Sequence, residues 1–127
     1  MAAVSGPDFI ALQVRDVAAS ASFYETRLGL RRAPASPPGA VVFATSPTAF
    51  AVREPLPGFD PRAASPRPGA GMALWLAADD AQVLHDDLVA HDVEVLQAPF
   101  DGPFGRTFTI ADPDGYAITV HGPGPTA

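Results

Sequence analysis

The sequence predicts an α+β fold in which a strand, an amphipathic helix and three short strands are followed by the same order again. Three observations carry this expectation. Two short apolar runs, Phe9–Val14 and Ala73–Ala78, carry branched aliphatics at alternate positions, Ile10, Leu12 and Val14, then Leu74 and Leu76, as strands do. After each run, apolar residues recur at helical spacing: Val17, Ala21, Tyr24 and Leu28, then Ala81, Leu84 and Leu88, with His91 one turn on. A shift of 64 residues lays Leu12 on Leu76, Val14 on Ala78 and Asp16 on Asp80. The identity between the halves is weak, so the duplication rests on pattern.

The elements follow in order. Phe9–Val14 ends at Arg15-Asp16, and Asp16 is placed to cap the next helix by accepting from its free amides. Gly29 ends that helix, because it alone adopts left-handed geometry without a Cβ clash. Strands are expected near Leu30–Arg32, Ala40–Ala44 and Thr48–Arg53. From Glu54 to Ala70 the chain holds five prolines and two glycines with no apolar period, which reads as a linker or surface loop. Then come a strand at Ala73–Ala78, the caps Asp79 and Asp80, and the second helix. Strands near Glu94–Gln97, Thr107–Ala111 and Ala117–His121 complete the chain. The 127 residues fit one domain, with module one at about 8–54, the linker at about 55–70 and module two at about 71–122.

Strand alternation sorts the faces. Ile10, Leu12 and Val14 turn to the first helix, leaving Phe9, Ala11 and Gln13 on the other side. Leu74 and Leu76 turn to the second helix, leaving Ala73, Trp75 and Ala77. A sheet with helices on one side and Phe, Trp, Gln and small residues on the other suggests a concave surface able to receive a ligand or a partner.

Composition narrows the function. A net charge of −6, with no cluster of Lys or Arg, argues against nucleic acid and anionic membranes. No apolar run approaches the ~20 residues of a membrane span. Without cysteine there is no disulfide, thiolate metal site or cysteine nucleophile. Residues 1–8 lack the basic and apolar regions of a signal peptide, so a cytoplasmic protein is expected. There is no Gly-x-Ser-x-Gly elbow, P-loop or dinucleotide fingerprint. Asp112-Pro113-Asp114-Gly115 has the residue types of a turn, and is read as one.

Three segments, spanning nearly the whole chain, resemble the vicinal oxygen chelate superfamily, which includes glyoxalase I, extradiol dioxygenases and bleomycin-resistance proteins. They are Leu12-Gln13-Val14-Arg15-Asp16 with Phe23-Tyr24 and Leu28-Gly29-Leu30; the strand–Asp80–helix unit ending near Val93-Glu94-Val95; and Phe104-Gly105-Arg106-Thr107-Phe108 running into Asp112-Pro113-Asp114-Gly115-Tyr116. The resemblance implies paired βαβββ modules forming an open half-barrel cup with the helices outside, usually in a homodimer. Metal-using members take ligands from four inward positions. Three fall here on Phe9, on Ala73 (or Met72 if the register slips), and on Thr119; the fourth lies between Phe50 and Glu54. Phe, Ala, Met and a neutral Thr hydroxyl are poor ligands for hard or borderline divalent ions.

No metal or other cofactor is therefore expected, with a divalent ion on displaced ligands as the alternative. Trp75, the only tryptophan, is placed either for packing or as a stacking platform. Phe9, Gln13, Phe43 or Phe50, Phe104 and Thr119 are candidates for lining the same site. Arg106 is either a surface residue or a partner for an anionic or carbonyl group. His121 shares a face with Ala117 and Thr119, either as a solvated strand end or as a ligand contact. His85 and His91 lie about 240° apart around one helix and cannot chelate together. The expected function is metal-free binding of an apolar or aromatic small molecule in a homodimeric cup, as in the bleomycin-resistance branch. The alternatives are a metal-dependent lyase or dioxygenase, a metal-free isomerase or cyclase using His121 or Glu54, and a dimerisation module without a ligand.

Overall fold

The computed structural model describes residues 2–122. Two helices and two mixed sheets, neither closed on itself, give the expected α+β class. The chain forms two compact units, Met1–Pro61 and Arg62–Ala127.

The first unit contains β1 (Phe9–Gln13), α1 (Val17–Thr26), β2 (Ala40–Phe43) and β3 (Ala49–Arg53). β3 is the central strand, parallel to β1 and antiparallel to β2. Asp16 caps α1, its carboxylate accepting from the Ala19 amide at 3.0 Å. At the other end Gly29 (φ +75°) turns the chain, so that the Leu30 amide donates to the Tyr24 carbonyl at 3.0 Å. Ala21 and Tyr24 are fully buried, and Tyr24 meets Phe50 and Phe43 at ring separations of 5.1 and 6.0 Å. With Leu12, Val14 and Val52 they form the core beneath α1.

The strand expected at Leu30–Arg32 is reduced to one bridge, Arg32 to Phe43. Prolines 34, 37 and 38 explain this: without amide hydrogens they cannot extend a ladder. The Ser36 hydroxyl accepts instead from the Val42 amide, at 2.9 Å.

The second unit contains β4 (Leu74–Ala77), α2 (Ala81–Ala90), β5 (Val95–Gly102), β6 (Gly105–Ala111) and β7 (Ala117–His121). The strand order is β4-β7-β6-β5, with β4 parallel to β7. In both units the first strand therefore lies parallel to the last. Leu88, Phe108, Ile110, Ile118 and Val120 make the core beneath α2. Asp80 caps α2 by accepting from the Val83 amide at 3.1 Å.

β5 runs five residues beyond its expected end at Gln97, and joins β6 through a tight hairpin with Phe104 at its tip. Register shifts on either side of Gln97 let Pro99 sit in this edge strand without breaking a ladder bond. The proline-rich segment contains a 3-10 turn at Pro61–Ala63. Further on, Arg67 donates to the Gly115 carbonyl at 2.9 Å, and Gly69 lies under the Tyr116 ring.

The Asp112–Tyr116 segment is the expected turn. The Asp112 carboxylate accepts from the Asp114 and Tyr116 amides, and Gly115 has φ +93°.

α2 ends differently from α1. The Val93 amide reaches the Leu88 carbonyl and the Asp92 amide reaches that of Val89, which puts Asp92 at the left-handed position, φ +61°. A side chain there costs about 1–2 kcal/mol, partly offset by the entropy a glycine loses on folding. Asp92→Gly is expected to raise stability by about 1 kcal/mol, read from the midpoint of denaturant unfolding.

Candidate functional site

The face of each sheet turned away from its helix carries the candidate residues. In the second unit the ladder aligns Trp75 with Thr119 and Ala77 with His121 across β4 and β7. It also aligns Thr119 with Thr109 and His121 with Thr107 across β7 and β6. Directly paired strand residues point to the same side. Leu74, Leu76, Phe108, Ile110, Ile118 and Val120 occupy the opposite, helix-covered side.

Three aromatic rings cluster on this open face. Trp75 lies 5.8 Å from Phe104 and 5.8 Å from His121, and Phe104 lies 6.3 Å from His121. Trp75 is 45% exposed and Phe104 61% exposed, so the cluster is a surface rather than a core. The Phe104 carbonyl accepts from His121 Nδ1 at 3.3 Å, linking the hairpin tip to the end of β7. Beside them Thr109 and Thr119 share a hydroxyl–hydroxyl bond of 2.9 Å. Phe100 is a further exposed aromatic, paired across the ladder with Thr107. The sequence reading did not single out Thr107, Thr109 or Phe100. Thr107, Thr109 and Ala111 alternate with Phe108 and Ile110, a signal that could have placed the threonines.

In the first unit the open face holds Phe9, Ala11 and Gln13 of β1, beside Ala49, Ala51 and Arg53 of β3. Phe9 is half exposed. Gln13 Oε1 accepts from the Leu56 amide at 2.7 Å, tying β1 to the chain that leaves β3.

Four candidates lie elsewhere than expected. Phe43 and Phe50 are 1% and 4% exposed and face α1, where they stack on each other and against Tyr24. They belong to the core and do not line a ligand surface. Arg106 precedes Thr107 on β6 and so turns to the α2 side, where Nε donates to Gln82 and a terminal nitrogen to Asp101. It braces α2 against the hairpin and is not poised over the open face. Glu54 shares the alternation of Phe50 and Val52, and its carboxylate lies over Gly39, where an added Cβ would stand 2.8 Å from it. It is not on the face that holds Phe9 and Gln13.

A family model for the Glyoxalase/Bleomycin resistance protein/Dioxygenase superfamily matches residues 6–120. The chain belongs to this superfamily. Its fold is similar to TnmS3, an antibiotic binding protein from Streptomyces sp. CB03234, with 22% identity and a TM-score of 0.75 over 98% of this chain and 100% of that one. A glyoxalase/bleomycin resistance protein from the same Streptomyces gives 23% identity and a TM-score of 0.71, covering 91% and 99%. A lactoylglutathione lyase from Agrobacterium tumefaciens gives 24% identity and 0.63, covering 92% of each chain. A search of curated protein sequences found no match.

The metal positions used by some members of the superfamily can now be tested on this chain. Alternation with Trp75 and Ala77 puts Ala73 on the open face, rather than Met72. Thr119 spends its hydroxyl on Thr109. The β1–β3 register restricts the fourth position to Ala51 or Arg53, since Phe50 and Val52 turn to the helix. In the first unit Phe9 with Ala51 or Arg53, and in the second Ala73 with Thr119, offer no carboxylate, imidazole or amide, and a guanidinium stays protonated. This donor set does not fit a divalent metal. Among the described residues no three His, Asp or Glu side chains gather as a metal ion would require.

Away from the open faces, the Asp86 carboxyl is lowered from its usual value by a hydrogen bond from His85, then by one from Gln82. His85 also packs edge-on against Phe108. A depressed carboxyl pKa contributes stability above the unfolded value and loses it as pH falls through the folded one. His85→Phe keeps a ring against Phe108 but removes the bond, so the Asp86 carboxyl is expected to titrate closer to 3.8, as followed by NMR.

Proposed function

We propose that the protein is a metal-free binding protein for a planar, largely apolar small molecule, held on the Trp75–Phe104–His121 surface. The observation that carries this reading is the exposed aromatic cluster on a sheet face whose metal positions lack donors. Water is displaced cheaply from such rings, and a stacked partner gains about 0.5–1.5 kcal/mol beyond the area it buries. Thr119 and His121 add polar contacts at the edge of the patch, and Phe9 and Gln13 remain candidates for a ligand contact on the first unit's own open face. An antibiotic binding protein of the same fold supports sequestration as the biological purpose. A homodimer in the cytoplasm completes the proposal. No helix among the described residues is long and apolar enough to cross a membrane.

A second reading is a metal-free isomerase or cyclase with His121 as its base. It is favoured by the hydrogen bond that orients the ring. Turnover of a ligand that binds would support it over sequestration.

Titration with a panel of planar aromatic compounds is expected to quench the single tryptophan, and Trp75→Ala is expected to weaken binding about tenfold or more. No quenching across a broad panel would count against the proposal and for a dimerisation module. Protein purified without chelators is expected to carry no stoichiometric Fe, Mn, Ni or Zn by elemental analysis. A tightly held equivalent would favour a metal-dependent enzyme instead.

A further inference from the structure

The aromatic patch has a polar edge whose hydrogen-bonding sense is fixed. His121 Nδ1 faces the Phe104 carbonyl at 3.3 Å. A carbonyl oxygen can only accept, so Nδ1 carries the proton of the neutral ring and Nε2 is left with a bare lone pair. Among the described residues nothing donates to Nε2, and His121 is only half buried. No buried side-chain nitrogen or oxygen among them is left without a partner, so this lone pair is open to solvent. The neighbouring hydroxyls are already engaged: Thr107 donates to the Gly105 carbonyl at 3.0 Å, and Thr109 and Thr119 bond each other.

From this we infer that the ligand is a fused-ring aromatic bearing a hydroxyl donor at one edge, and that His121 Nε2 accepts from that hydroxyl while the rings lie on Trp75 and Phe104. This rests on the binding reading above and sharpens it. Trp75 and Phe104 meet at an interplanar angle of 80°, so fused rings lie against the face of one and the edge of the other, with the imidazole at the margin. An aromatic of the same shape whose oxygen carries no hydrogen leaves Nε2 covered and unpaired. Such an unmade bond discriminates more sharply than a change of apolar area.

The matched probes are 2-naphthol and its methyl ether, 2-methoxynaphthalene, added to the full chain at about pH 8. The single tryptophan gives one indole N–H signal in a nitrogen-edited NMR spectrum. Both probes are expected to shift that signal, with 2-naphthol binding roughly three- to tenfold more tightly. In His121→Phe, checked for folding by the dispersion of its amide signals, the two Kd values are expected to converge. Equal Kd values in the unmodified protein overturn the inference and leave the binding reading standing. So does a preference for the ether, or a preference for the naphthol that survives in His121→Phe. If neither probe moves the indole signal, the binding reading falls and the inference with it.

Discussion

The parallel pairing of β4 with β7 is the constraint on which the candidate site depends. Strand faces alternate with a period of two, so this one register decides which side of the sheet every side chain joins. It aligns Trp75 with Thr119 and Ala77 with His121, and it sends Leu74, Leu76, Ile118 and Val120 together under α2. A slip of β4 by one residue would turn Trp75 to the helix-covered side and expose its aliphatic row. The hydrophobic core and the aromatic surface are thus two results of a single alignment. The first unit repeats the logic with β1 beside β3, where the same alternation commits Phe50 to the core and Phe9 to the open face.

Much of this architecture was legible in the sequence because it is written in local periods. Both helices, both Asp caps and the division of β1 and β4 into faces follow from spacing alone. What escaped was decided by prolines and by long-range register. Prolines 34, 37 and 38 leave only a bridge at Arg32, and β5 accommodates Pro99 through a register irregularity that no period announces. By sequence, Phe43 or Phe50 is a candidate for a ligand surface as an aromatic, and Arg106 is one by its place after Phe104-Gly105, with a surface residue as the alternative. Their faces depend on pairing partners far along the chain, and those partners turn all three toward the helices.

The superfamily places enzymes and binding proteins on one scaffold, so the fold alone does not separate them. In the first unit β1 begins with Phe9 and β3 offers Ala49, Ala51 and Arg53 to the same face; in the second β7 carries Thr119. The open face of the second sheet instead carries the exposed aromatic rings of Trp75 and Phe104. Polarity returns at the edge, through His121 and the threonine pair.

The proline-rich stretch between the two sheets will not tolerate sequence drift evenly. Arg67 is anchored on the Gly115 carbonyl, Pro68 is buried, and a Cβ on Gly69 would come within 2.9 Å of the Tyr116 ring. Ala63 and Ser65, ahead of this anchored part, are exposed. Among homologues, substitutions and length changes should therefore accumulate ahead of Arg67 and fall away after it. A stretch that looks uniformly like spacer would then carry an abrupt boundary between variable and invariant positions.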